Sequence, residues 1–188
     1  MSIYALKPKF QDLLRPLVRR AVAWGITANQ VTLFACVVSV LLGGVLYAQV
    51  EQRIYFLLLP FWMLLRMAFN AMDGMLAREF GQKSALGAYL NELTDVVSDA
   101  ALYLPFAWVT PFNGWQIGLF IFMAVLSEYA GVLGLMVGAS RRYDGPLGKS
   151  DRAFVFGLLG LLLGCGVSLP SWSAGLLWVL IGFIGLTI

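Results

Sequence analysis

The chain has no histidine, two cysteines and few charges, with Asp, Glu, Lys and Arg making up 12% of its 188 residues. Each shortage excludes something. A zinc-type cluster has no ligands to draw on, because histidine is absent and Cys36 and Cys165 lie far apart in apolar segments. The same separation argues against a disulfide and for two buried, inert thiols. The scarcity of charge, set against 60% hydrophobic residues and a mean hydropathy of +0.82, excludes a water-soluble domain. A chain of this length cannot hide so much apolar surface from water, whereas lipid removes the need to hide it. One compact membrane domain, 1–188, accounts for the length. The net charge is +3, and the basic residues flank apolar runs instead of forming a soluble face. They read as membrane orientation and phospholipid contact, with no nucleic-acid partner. No cleavable signal peptide is expected, since the first apolar run begins only near residue 28.

Periodicity organises the rest. Residues 1–24 carry Leu6, Phe10, Leu13, Leu14, Leu17, Val18 and Ala21 at three- and four-residue steps, with Lys7, Lys9, Arg15, Arg19 and Arg20 on the polar side. This predicts an amphipathic helix lying in the interface of an anionic leaflet, with Pro16 a candidate bend. Gly25-Ile26-Thr27-Ala28-Asn29 is a turn and helix start, with Thr27 or Asn29 as cap. Six apolar segments follow, near 30–49, 54–79, 85–109, 115–139, 152–168 and 171–188. Each approaches the ~20 residues that span a hydrocarbon core. The predicted fold is therefore an all-α integral membrane protein, with six transmembrane helices over 30–188 preceded by an interfacial helix. Eleven of the thirteen Lys and Arg residues fall on one side of that arrangement, leaving Arg53 opposite and Arg66 within the membrane. The basic side, and with it both termini, is expected in the cytoplasm.

The stretch from Asn70 to Asp99 is too polar for a purely structural membrane helix. Asn70, Asp73 and Ala77 share one face of the second segment. Asn91, Asp95 and Asp99 share one face of the third. A short turn around Gly81 to Ser84 makes the two antiparallel neighbours, so their polar faces can meet across a cavity. Oxygen donors without His or Cys suit Mg²⁺, Mn²⁺ or Ca²⁺. Asp73 lies ~10 Å of helix, and Asp95 ~16 Å, from the turn. That depth is below the surface yet open to the cytoplasm. Gly74, Ala77 and Gly87 leave room for a nucleotide or phosphate, or for close helix packing. Arg78 and the acids favour the pocket.

These residues resemble the CDP-alcohol phosphotransferases, whose signature is D-x₂-D-G-x₂-A-R, eight or more residues, then G-x₃-D-x₃-D. Asp73-Gly74-x₂-Ala77-Arg78 matches it without a gap, Gly87 follows after eight residues, and Asp95 stands eight beyond Gly87. Gly25-Ile26-Thr27-Ala28-Asn29 is similar to the family's G-I-T-P-N entry to its first membrane helix, and the resemblance covers the whole chain. It implies a membrane enzyme that moves a phospho-alcohol group, phosphatidyl where the donor is CDP-diacylglycerol, to an alcohol acceptor and releases CMP. It implies a Mg²⁺ or Mn²⁺ cofactor held by positions 70, 73, 91 and 95. Asp95 is then the general base, and Gly74, Ala77, Arg78, Ser84 and Gly87 form the nucleotide site. A homodimer among membrane phospholipids, with its active site facing the cytoplasm of an inner membrane, is implied as well. Two positions depart from the pattern, because the family's first and third aspartates are Asn70 and Asn91 here. An amide oxygen can coordinate a divalent ion but brings no charge. Glu92 and Asp99 are carboxylates placed to compensate.

Arg141, Arg142, Lys149 and Arg152 bound the loop after the fourth segment. They suit either an acceptor phosphate or positive-inside anchoring. Glu128 and Arg66 are intramembrane charges that either pair structurally or line an acceptor pocket. Two other functions compete with the enzyme. A transporter or channel would use the acids as an ion path, although conduction does not require Asp-Gly-x₂-Ala-Arg. A non-catalytic, lipid-binding relative would have lost its metal chemistry at Asn70 and Asn91.

Overall fold

The computed structural model describes residues 6–138 and 145–188, and every regular element among them is helical. Among the described residues seven α-helices follow in order: α1 (Leu6–Ala23), α2 (Ala28–Ala48), α3 (Leu58–Glu79), α4 (Ala85–Tyr103), α5 (Gly114–Met136), α6 (Lys149–Gly164) and α7 (Trp172–Thr187). Short 3₁₀ turns at Arg53–Leu57 and Leu104–Trp108 precede α3 and follow α4. Helices α2 to α7 fall where the six apolar segments were predicted, within a few residues at each end. Among the described residues, three helical stretches are long and apolar enough to cross a membrane: Ala28–Ala48, Arg53–Glu79 and Gly114–Gly134. Helix α4 is long enough but carries Glu92, Asp95 and Asp99, and α6 and α7 have 16 residues each.

Contacts divide the chain into two compact units, one holding the residues up to Val38 with Leu64–Asp95, the other Ser39–Met63 with Val96–Ile188. In the first unit α1 is continuous through Pro16. Pro16 and Asp12 both lie on its exposed side, where the Asp12 carbonyl that loses its helical donor can take water. Its inner stripe buries Leu14 and Val18 against Ala28, Val31, Met75 and Leu76. Burying one such side chain contributes ~1.5–3 kcal/mol where the alternative is water. Thr27 caps α2. Its backbone N–H donates to Gln30 Oε1 at 2.9 Å, and its Oγ1 accepts from the Gln30 N–H at 3.3 Å. Gln82, from the turn after α3, accepts from the Ala28 N–H at 2.7 Å, which ties that turn to the start of α2.

The second unit is built around Phe156, which is fully buried. It stacks on Tyr103 at 4.0 Å and meets Phe106 and Phe120 at 5.0 and 5.1 Å. Small residues on α6 admit the 3₁₀ turn. A Cβ on Gly164 would lie 2.5 Å from Leu57 Cγ, and one on Gly160 3.1 Å from the Phe56 carbonyl. Cys36 is half-buried, but Cys165 is exposed, contrary to the expectation of two buried thiols. It follows the last turn of α6 as the C-cap, beyond the packed face.

Candidate active site

The polar residues of the first unit gather on the hairpin made by the second half of α3, the turn 80–84 and the first half of α4. Gly81 adopts φ +69°, a left-handed conformation that side chains rarely take, and so reverses the chain within five residues. Ser84 then caps α4 by accepting from the Gly87 N–H at 2.9 Å. A side chain at Gly87 would displace two polar side-chain ends. A Cβ there would stand 2.8 Å from Asn29 Oδ1 and 3.0 Å from Ser84 Oγ. The glycine thus lets the start of α4 close on the Gly-Ile-Thr-Ala-Asn turn.

Asp73 is 6% exposed and accepts from the Thr32 hydroxyl of α2 at 2.8 Å. One turn later on α3, the Arg78 guanidinium folds back over Gly74, so that a Cβ on Gly74 would lie 2.7 Å from Arg78 Nη2 and 3.1 Å from Nη1. The missing side chain of Gly74 is therefore the space that Arg78 occupies. Ala77 is half-buried on the same helix and Arg78 is exposed.

Across the hairpin, Asp95 Oδ1 receives two donors, Arg66 Nη2 at 3.1 Å and Asn70 Nδ2 at 3.3 Å. Arg66 Nη2 also donates to the Asp95 carbonyl at 3.2 Å, and Arg66 is 4% exposed. Breaking a buried pair of this kind by removing one partner costs about 3–5 kcal/mol, because the other charge is left without water. Asn70 and Asp95, on the two faces that periodicity allowed to meet, are thus brought together. Asn91 is half-buried on α4. Among the described residues, no three His, Cys, Asp or Glu side chains stand close enough together to hold a metal ion. A metal site here has to include amide oxygens, and the hard oxygens of Asp73, Asn70 and Asn91 are donors of the kind Mg²⁺ and Mn²⁺ take.

Sequence periodicity missed two partners. Thr32 lies one turn beyond Ala28 on α2 but 41 positions from Asp73. Arg66 stands one turn before Asn70 on the same face of α3, a spacing that could have paired it with the site.

Of the four basic loop positions, Arg141 and Arg142 lie outside the described residues. Lys149 begins α6 in the second unit. Arg152, in the same unit, is 1% exposed: its Nη1 donates to Ser127 Oγ at 3.0 Å and to the Leu147 carbonyl at 3.3 Å, and its Nη2 pairs with Glu128. Among the described residues, its Nε has no hydrogen-bond partner. A narrow cavity of this unit is lined by Asp99, Tyr103, Glu128 and Arg152. Glu128 thus pairs with Arg152 between α5 and α6 and lines a cavity at once.

The profile described as CDP-alcohol phosphatidyltransferase matches residues 25–185. Inner membrane protein YnbA of Escherichia coli is 47% identical over 178 residues, covering 95% of this chain and 88% of that one. Phosphatidylinositol phosphate synthase of Mycobacteroides abscessus is 26% identical over 187 residues, 96% of this chain and 82% of its own. Archaetidylinositol phosphate synthase of Pyrococcus horikoshii is 30% identical over 97 residues, 52% of this chain and 49% of its own.

Proposed function

The chain belongs to the CDP-alcohol phosphatidyltransferase family, a family of membrane transferases of phospholipid biosynthesis, and we propose that it moves a phosphatidyl group from CDP-diacylglycerol to an alcohol acceptor with release of CMP. The observation that carries this reading is the hairpin: Asp73 buried on Thr32, Arg78 laid over Gly74, and Asp95 held across from them by Arg66 and Asn70.

In this mechanism Arg78, exposed at the end of α3, meets the charge that develops on the departing nucleotide. Ser84, Gly87 and Ala77 shape the nucleotide's side of the hairpin. Arg66 and Asn70 fix one oxygen of Asp95 and so orient the carboxylate. Asp95 takes the proton from the acceptor hydroxyl as that oxygen bonds to the phosphorus bearing the lipid alcohol. The phosphorus–oxygen bond to CMP then breaks, and CMP leaves. A divalent ion, Mg²⁺ or Mn²⁺, would neutralise the donor pyrophosphate when bound, and Asp73, Asn70 and Asn91 would hold it.

The membrane setting follows the same reading. Helices α2 to α7 make six spans of an inner membrane, α1 lies at its cytoplasmic interface, and the hairpin turn with Lys83 opens to the cytoplasm. Lys149, with Arg141 and Arg142, suits phosphate, whether of an acceptor or of the membrane surface, whereas Arg152 is committed to Glu128, Ser127 and the Leu147 carbonyl. The active form is a homodimer.

Mass spectrometry of the products formed by purified protein from CDP-diacylglycerol and a panel of alcohols tests the proposal. Inositol phosphate belongs in the panel because two relatives are named for products that carry it. A new phospholipid with equimolar CMP is the expected result. No CMP from any acceptor, in protein that CMP still stabilises against heat, would instead support the non-catalytic relative to which Asn70 and Asn91 point.

A further inference from the structure

Arg66 sits on α3 one helical turn before Asn70, so both side chains reach the same place on α4. That place is Asp95. Arg66 binds it twice, through the carboxylate at 3.1 Å and the backbone carbonyl at 3.2 Å, and Asn70 adds a third bond at 3.3 Å. The Arg66 guanidinium brings a positive charge and a planar fork of donors to that carboxylate. At 4% exposure it has exchanged water for that one residue's oxygens among its partners. Positions 70 and 91, which flank Asp95 on the hairpin, carry amides that add no negative charge. A divalent ion brought into contact with Asp95 would therefore stand beside a fixed positive charge, with no nearby carboxylate at 70 or 91 to offset the repulsion. Asp73 lies two turns beyond Arg66 on α3 and accepts from the Thr32 hydroxyl.

We propose that Arg66 is the resident cation of Asp95, taking the place there that a metal ion would otherwise fill. Asp95 is then not a metal ligand, and the site holds one divalent ion, at the Asp73 end. Arg66 acts as a positioning residue, since it works through Asp95. The inference takes its divalent ion from the transferase reading above.

The test is a Mn²⁺ titration of the purified full chain with CMP present, followed by the paramagnetic resonance of the free ion. Wild type should bind one Mn²⁺ per chain. Asp73→Asn should weaken binding about tenfold or more, by removing the ligand charge. The double variant Arg66→Gln with Asp95→Asn removes one charge of each sign together, so the net charge is unchanged; it should keep the single ion within about threefold of the wild-type Kd. Arg66→Lys should also keep one ion, whereas Arg66→Gln alone should admit a second on the exposed charge of Asp95. Two ions in wild type, none in wild type, or loss of the ion in the double variant would overturn the proposal. No turnover is needed, so the two readings fail separately. Two ions with CMP release removes this inference and keeps the transferase; one ion with no CMP release does the reverse.

Discussion

Gly74→Ala is the smallest change that separates a packing glycine from a functional one. A methyl there would lie 2.7 Å from Arg78 Nη2. Ordinary contact begins near 3.5 Å, so the guanidinium must retreat by about 0.8 Å or more. The atom displaced is the far end of a flexible side chain, so the fold should absorb the move. Alanine is also the better helix former by about 0.5–1 kcal/mol, so the melting temperature should hold or rise. Turnover should behave in the opposite way. If Arg78 is placed to meet charge on the departing nucleotide, a misplacement of this size costs up to about 10²-fold in kcat/KM. The assay is CMP release under initial-rate conditions for Gly74→Ala, Arg78→Ala and the double variant, each with its melting curve. The double variant should be no slower than Arg78→Ala, since the methyl acts only through the guanidinium. Wild-type turnover in Gly74→Ala would refute the reasoning. So would a loss that adds in full to that of Arg78→Ala, because Gly74 would then serve something other than Arg78.

Three further outcomes follow from other contacts. Asp73→Asn can still accept from Thr32, so it should fold, lose turnover and recover part of it at raised Mg²⁺ or Mn²⁺, whereas Asp95→Asn should lose about 10²–10⁴ in rate with no metal rescue; rate against metal concentration checks both, and rescue of Asp95→Asn alone would reverse the two roles. Glu128→Gln leaves the buried Arg152 cation without its carboxylate, and should lower the melting temperature by about 6–20 °C, while Glu128→Gln with Arg152→Met should recover most of it; an unchanged melt in the single variant would show that the pair carries no stability. Lys83→Cys in a background without Cys36 and Cys165 should react with a membrane-impermeant thiol reagent only from the cytoplasmic side, and reaction from the other side would invert the orientation.

What the sequence made legible, and what it hid, divides along a physical line. The ends of α2 to α7 could be read because a helix announces itself locally. An apolar run stops at Gly81, at Gly166 or at the polar loop before Lys149, and a cap such as Thr27 with Gln30 lies within four residues of itself. The faces could be read for the same reason, and the meeting of Asn70 with Asp95 followed from two helical periods and one short turn. Pro16 does not end α1, and Asp12, whose carbonyl loses its helical donor, lies on the exposed side of the helix. Partnerships between separate helices were a different matter. Periodicity says which side of α2 Thr32 lies on, but not that the side meets Asp73, 41 residues away. It marks Arg66 as a costly intramembrane charge, but not that the charge is spent on Asp95. Asn70 shows the difference most clearly. As a letter in a motif it is an aspartate that lost its charge. In the folded hairpin its amide N–H points at the Asp95 carboxylate, a bond that an ionised aspartate at position 70 could not donate. The substitution and the buried arginine one turn away therefore act in the same direction: both bring donors to Asp95, and both make it a carboxylate served by the protein's own groups.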